Sequence, residues 1–302
     1  MLLGKLRKDL QFNGELLSLV DTLKNVAGSQ YHLMEKEKAR FDLFMDAFSG
    51  FFRVVNLVDV DDPLVRVSSD VVGVVIVTSD SGFMGGLNQG VIRAGFEAVE
   101  GRSESEISLV IIGDKGAALM NDQSRDFKFF PGIGQETVYE QAIEVKNFIV
   151  KEVLEGRMGK VIVAYPRALS FTAQAIEAIN LLPCRELFDI EAESEVAERS
   201  RMRQVVADAH KVAVESSFSD IVEYLAGVWV ASKLYEVFED SKLAEFSARA
   251  MHLEGSVQKV EKEHKKLKQM YSKACHEQID KGMREGFAAK SLKKKLKKVS
   301  AA

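Results

Sequence analysis

The residues best placed to do chemistry lie in "VTSDSGFMGGLNQG", Val77 to Gly90, which follows directly on the apolar run "VVGVVIV". A buried strand that feeds a glycine-rich turn and then a helix is the layout in which nucleotide enzymes hold phosphates. A dinucleotide turn requires GxGxxG, with a glycine where the pyrophosphate approaches the backbone. Gly82, Gly85 and Gly86 instead read GxxGG, and bulky Phe83 and Met84 occupy the place of close approach. Asp80 adds a negative charge that opposes a phosphate. A phosphate loop requires GxxxxGK[ST]. Lys115, in "IGDKG", has neither the upstream glycine nor a following Ser or Thr. The turn is therefore expected to be structural, capping a helix, and to bind no cofactor.

Other catalytic sets fare no better. "SDSGF" is not the GxSxG elbow, and the five histidines (His32, His210, His252, His264 and His276) all fall on long helical segments outside the middle of the chain. His264 and His276 are twelve residues apart, too far to share an ion as an i, i+4 pair does. Cys184 and Cys275 form no CxxC pair, which gives neither a disulfide framework nor a zinc site. The expectation is no catalytic, cofactor-binding or metal-binding residue. The tail "KSLKKKLKKVSAA" carries Lys290, Lys293, Lys294, Lys295, Lys297 and Lys298. Near an anionic surface each lysine adds about 1 kcal/mol. No aromatic residue is interleaved, however, and the chain as a whole carries a net charge of -4. The tail reads as the solvated end of a helix, with no nucleic-acid partner.

Long elements must carry these residues. All four prolines lie between Pro63 and Pro183, which leaves both ends free of the strongest helix breaker. Near the start, Leu16, Leu19, Leu23, Val26, Gln30 and Leu33 alternate steps of three and four, and Phe41, Phe44, Phe48, Phe51 and Val55 do the same beyond the charged "EKEKAR". Near the end, Ala250, Leu253, Val257, Val260, His264, Leu267, Tyr271 and Ala274 repeat the pattern. The later segment spans roughly 90 residues, or about 135 Å of helix, against about 75 Å for the first. Entering and leaving one middle domain, the two should pair antiparallel, with the C-terminal helix overhanging.

The middle alternates strands rich in Val and Ile (71–79, 107–113, 160–166) with helices (87–100, 136–156), a pattern that argues for a mainly parallel sheet. "SFTAQAIEAINLLP" fits either a strand or a helix. The expected organisation is an N-terminal coiled-coil helix over 1–58, an α/β domain over 68–190, a long C-terminal helix over 198–290 and a Lys-rich tail over 291–302.

This arrangement resembles the gamma subunit of F-type ATP synthases. "VTSDSGFMGGLN" is similar to that family's ITSDRGLCGGLN at Thr78, Ser79, Asp80, Gly82, Gly85, Gly86, Leu87 and Asn88. "VIIGDKG" is similar to its second strand and turn at Gly113, Lys115 and Gly116. "AEFSARAMHL" resembles SEHAARMVAM at Glu245, Ala248 and Arg249, "YSKACHEQI" resembles YNKARQAAI at Tyr271, Lys273, Ala274 and Ile279, and "TLKNVAGSQ" resembles AMKMVAAAK at Leu23, Val26 and Ala27. The likeness runs in order from about Leu6 to about Ala289.

The resemblance implies a Rossmann-like α/β foot inserted between two long helices that form an antiparallel coiled coil. It implies a central-stalk rotor without an active site of its own, coupling proton- or sodium-driven rotation to ATP synthesis or hydrolysis. The implied partners are the alpha and beta subunits of the catalytic ring, an epsilon-type stalk subunit and the membrane c-ring. The implied ring contacts are Leu23, Val26, Ala27, Arg249, Leu253, Tyr271, Lys273 and Ile279. Thr78, Asp80, Gly82, Gly85, Gly86 and Asn88 would form the foot's turn. Ser81 and Cys275 stand where the family has arginine, and Gly14, Glu15 and Asp21 fall where it is usually basic. "MLLGKLRKDL" lacks a signal peptide's apolar core. The expected location is therefore the cytoplasmic face of a bacterial inner membrane, or the matrix or chloroplast side for a mature organellar chain. The competing reading is a nucleotide- or cofactor-binding α/β enzyme dimerised by its helices, and a third is a coiled-coil scaffold.

Overall fold

Six successive residues rich in valine make an extended strand that must be covered on both faces, and this strand organises the sheet. The computed structural model describes residues 2–55, 63–122, 124–184 and 218–299, with side chains over 3–36, 63–122, 124–184 and 223–290. In chain order the elements are α1 (Leu2–Val55), β1 (Val72–Val77), α2 (Leu87–Glu97), β2 (Ile107–Ile112), α3 (Asp114–Asn121), β3 (Lys128–Phe130), α4 (Val138–Leu154), β4 (Lys160–Ser170), β5 (Ala173–Leu182) and α5 (Phe218–Val299). They divide into two units. One holds Ala27–Met251, and the other pairs Met1–Val26 with His252–Ala302.

In the larger unit the strand order is β3-β2-β1-β4-β5. The first four strands are mutually parallel, and β5 returns antiparallel along β4. Every residue of β1 is buried. Its odd positions Val75 and Val77 join Val110, Ile112, Val161 and Val163 beneath α4 and α5 (Ile149, Trp229, Leu234, Phe238). Its even positions Val72, Val74 and Ile76 join Leu109, Ile111 and Ile162 beneath α2 and α3 (Val91, Met120). The period of two thus assigns each side chain to one of two helical layers. Each fully buried Val, Ile or Leu contributes about 1.5–3 kcal/mol.

The ambiguous segment is a strand. Its alternation is read out because β4 offers a free edge, along which β5 pairs from Ser170↔Ala173 to Val161↔Leu182. Pairing between β1 and β4 stops at Ile76↔Ala164, so the tip of this hairpin extends past the sheet. Two elements had no sequence signal of their own. The helix α3 is only eight residues long and opens inside the "GDKG" turn, and β3 has three residues.

In the smaller unit α1 and α5 run antiparallel. Lys24 Nζ lies 3.2 Å from Glu254, and Gly14 packs against His264. Ten residues back along α1 thus correspond to ten residues forward along α5, and the same register carries Leu3 to Cys275. Residues 276–290 are all exposed. Counted to Val299, α5 outruns its partner by 24 residues, about 36 Å of helix. The expected α5 stripe, Ala250 to Ala274, holds the least exposed positions of its stretch.

The expected α1 stripe is displaced by one residue. Leu6, Leu10, Asn13, Leu17, Val20, Lys24, Ala27, Tyr31 and Met34 form a buried or half-buried stripe, while of the expected stripe Leu16 and Gln30 are half-buried. Leu19 is 57% exposed, Leu23 37% and Val26 49%. The seam accepts small and polar residues where the sequence offered leucines one position away. The side chains of Phe41, Phe44, Phe48, Phe51 and Val55 lie outside the described residues, as do residues 198–217, His210 and the side chains of the tail from 291 on.

Candidate functional site

The polar residues of the glycine turn bond inward. Thr78 Oγ1 donates to Ile112 O at 2.7 Å and accepts from Gly116 N at 2.9 Å. Ser79 N donates to Asn88 Oδ1 at 3.2 Å, and Asn88 Nδ2 donates to Ser79 Oγ at 3.0 Å, which ties the turn to the first turn of α2. Asp80 Oδ1 accepts from Asp114 N at 2.8 Å and from Gly132 N at 3.1 Å. Thr78 and Asp80 thereby stitch together the carboxyl ends of β1, β2 and β3. Gly113 is required there, with φ at +96° and any Cβ only 2.3 Å from Thr78 O.

In open α/β sheets ligands bind at the carboxyl ends of the strands, and anions favour helix N-termini. Here the chain's own Asp80 carboxylate, on an exposed residue, accepts from the first amide of α3, so the place a phosphate would take already holds a negative charge. Asp80 acts as the fold's own anion.

The outer part of the turn differs. Phe83 is 61% exposed with φ at +65°, and Met84 beside it is buried. A left-handed conformation at an aromatic residue costs of order 1–3 kcal/mol and is held in place by its surroundings. Gly85 takes φ +60° without that cost.

Arg249 reaches this turn from α5. Its Nε donates to Gly82 O at 3.4 Å while Nη2 pairs with Glu245, which also holds Lys242 at 2.9 Å. Arg249 and Lys242 both lie over the Phe246 ring, at 5.9 and 5.3 Å. The stretch Val237–Ala248 is buried nearly all round, as befits a helix enclosed on every side. Leu243 and Phe246 meet Tyr31 and Met34 of α1, with Ala168 and Phe171 of the hairpin against them. Phe171 stacks on His32 and meets Tyr31 edge-on, and Gln174 Nε2 donates to Ser247 Oγ at 2.9 Å. Lower on the hairpin, Glu177 bonds both Tyr165 and Arg167 at 3.0 Å. Burial opposes its ionisation, yet these partners hold its carboxyl below the usual range, while burial and the same carboxylate push the Tyr165 phenol up.

Two motifs far apart in sequence, the glycine turn and "AEFSARAMHL", thus meet in one place. Of the expected ring contacts, Ala27 and Leu253 are buried and Arg249 is engaged with Gly82 and Glu245. Tyr271 is half-buried in the seam. Leu23, Val26, Lys273 and Ile279 face outward. Sequence reasoning passed over three large outward apolar residues on the long helices: Phe12 on α1, and Met283 and Phe287 beyond Ile279 on α5. The last two step by four from Ile279, a spacing that could have revealed them.

A family model described as ATP synthase matches residues 4–285. An ATP synthase gamma chain from Desulforudis audaxviator is 28% identical over 206 residues, 66% of this chain and 66% of that one, just under two thirds of its length. One from a Nitratiruptor species is 28% identical over 215 residues, 69% of this chain and 68% of its own. The rotor of the Euglena gracilis mitochondrial ATP synthase superposes with a TM-score of 0.62 at 15% identity, covering 92% of this chain and 98% of that one. A chain from the same enzyme's OSCP/F1/c-ring structure gives 0.65 at 14%, covering 96% of this chain and 93% of that one. At such identities these two comparisons establish the fold.

Proposed function

The chain belongs to the ATP synthase family, and from that premise we propose that it is a gamma-type rotor chain of the central stalk, carrying rotation into a ring of alpha and beta subunits. The observation that supports this reading most directly is α5. It is one helix of 82 residues that lines the sheet's core, pairs with α1 and then continues 24 residues past its partner. A torque-bearing element needs a stiff seam without a kink, and α5 contains no proline.

On this reading the chain contributes no bond-making chemistry. An asymmetric helix pair inside a threefold ring contacts each catalytic subunit differently, and its rotation biases the affinity of three sites in turn. ATP synthesis or hydrolysis is the ring's reaction, driven by proton or sodium flow through a c-ring. The larger unit is the foot, facing the c-ring and an epsilon-type subunit. Leu23, Val26, Lys273 and Ile279 are the ring contacts that remain outward. Asp80 supports the expectation of no bound cofactor, because its carboxylate occupies the amide donor where a phosphate would be held. Among the described residues no helix is long and apolar enough to cross a membrane. A peripheral position on the membrane, at the cytoplasmic face in a bacterium, follows from the partners.

The test is equilibrium binding of ATP and NAD to the isolated full chain, with hydrolysis assayed alone and after reconstitution with alpha and beta subunits. No saturable site alone and ATPase activity only in the reconstituted ring are expected. A stoichiometric nucleotide site in the isolated chain would overturn the reading in favour of an α/β enzyme dimerised through its helices.

A further inference from the structure

On the surface of the larger unit, α4 and the first turns of α5 share a groove of about 930 Å³. From α4 it takes Tyr139, Ile143, Lys146 and Val150, in steps of four, three and four. From α5 it takes Tyr224, Val228, Ala231 and Tyr235, in the same steps. Tyr139 meets Tyr235 edge-on, with ring centroids 6.4 Å apart. The two helices therefore run antiparallel, and each position of one stripe has a counterpart at its own level in the other. The ends of the groove are open, with Tyr139 62% and Tyr224 71% exposed. Gly227 lines it between them, and a Cβ there would meet nothing within 4 Å. Two neighbouring helices that present matched heptad stripes to one groove form the holes into which a third helix sets its knobs.

The chain carries a segment of that description. Residues 185–217 lie outside the described residues. In their sequence Met202, Val205, Val206, Ala209, Val212 and Ala213 fall on one helical face, and Arg203, Gln204, Asp208 and Lys211 fall off it. Met202, Val206, Ala209 and Ala213 step by four, three and four, as the groove does. We propose that residues 202–213 dock in this groove as its third helix, parallel to α4, with Met202 at the level of Tyr139 and Ala213 at the level of Val150. Chain length supports this occupant over another molecule. Four residues separate Ala213 from Phe218, where α5 begins, an ordinary length for a helix–helix connection. That connection delivers the segment at the Tyr224 end and sends it antiparallel to α5. On the other side, seventeen residues separate Cys184 from Met202. They span up to about 60 Å when extended, against about 17 Å of α4 between Tyr139 and Val150. The docked segment takes the two open tyrosines out of water and denies this face of the unit to other partners, whether or not the chain is a rotor.

The experiment is hydrogen exchange on the full chain, read peptide by peptide. The amides of 202–213 should exchange slowly. Gly227→Trp, which places an indole in the groove, should speed them by about tenfold or more while the amides of β1 stay protected. Ala209→Glu should act likewise from the segment's side. A second measurement fixes the partner surface. In a Cys275→Ser background, Lys146→Cys with Ala209→Cys should form a disulfide within one chain on mild oxidation, whereas Lys146→Cys with Lys211→Cys, on the segment's far side, should not. Fast exchange over 202–213 in the unmodified chain, or slow exchange indifferent to Gly227→Trp, would overturn the proposal. So would a dimer that Gly227→Trp dissociates, which would give the groove to a second copy.

Discussion

At the residue scale, Asp80 gives the glycine turn an acceptor of its own at the amides where an anion would otherwise bond. Its carboxylate bonds amides at Asp114 and Gly132, which lie 34 and 52 residues away. No local pattern announces those partners, so the sequence shows a glycine-rich turn and an awkward acid but not the acid's task. Asp80→Ala leaves both amides without that acceptor and should lower stability by about 1–2 kcal/mol, read from the midpoint of denaturant unfolding. An unchanged midpoint would mean that water replaces the carboxylate without loss. Glu177 yields a pH prediction. Its carboxyl is held below the usual value in the folded chain, so its stabilisation is present above an ordinary glutamate pKa of about 4.3 and is lost as pH falls through the lowered value. Melting temperature followed down through that window should fall less steeply in Glu177→Gln than in the unmodified chain.

At the scale of elements, the two long helices were unequally legible. Along α5 nearly every seam position is aliphatic, so spacing alone picks out Ala250 to Ala274 in the register observed. Along α1 the seam contains Asn13, Lys24 and Ala27, while leucines and a valine occupy the neighbouring face. A reading that follows hydrophobicity lands one residue away. The error is informative, because it leaves Leu19, Leu23 and Val26 outward as a second stripe. Two substitutions separate the stripes. Leu253→Ala, at a position 2% exposed, should cost about 2–5 kcal/mol of stability. Leu19→Ser with Leu23→Ser should leave the unfolding midpoint of the isolated chain within about 0.5 kcal/mol and weaken co-assembly with the ring. Equal destabilisation by both would mean that the outer stripe packs within the chain. The strand character of β5 was hidden for a related reason. Phe171, Ala173 and Ala175 alternate, while Ile176, Ile179 and Leu182 step like a helix, and only the free edge of β4 decides between them.

At the scale of the whole molecule, chain order predicted the architecture well: helix, α/β domain, helix, with the second helix the longer. The meeting of the glycine turn, the hairpin and the Arg249 stretch had no signal in sequence, because it joins segments up to 167 residues apart. The function proposed here also lives at this scale, since no single site carries it. Truncating the chain after Cys275 removes the overhang and leaves the described helix pairing intact. The truncated chain should keep its unfolding midpoint, while ATP turnover of the reconstituted ring falls at least tenfold.

The most direct measurement of the central claim is the native mass of the complex recovered when this chain is tagged in its own cell and purified gently. The account predicts three alpha and three beta subunits for each copy of the chain, with one copy per assembly. Recovery of the chain alone, or as a symmetric homodimer carrying a nucleotide, would contradict it.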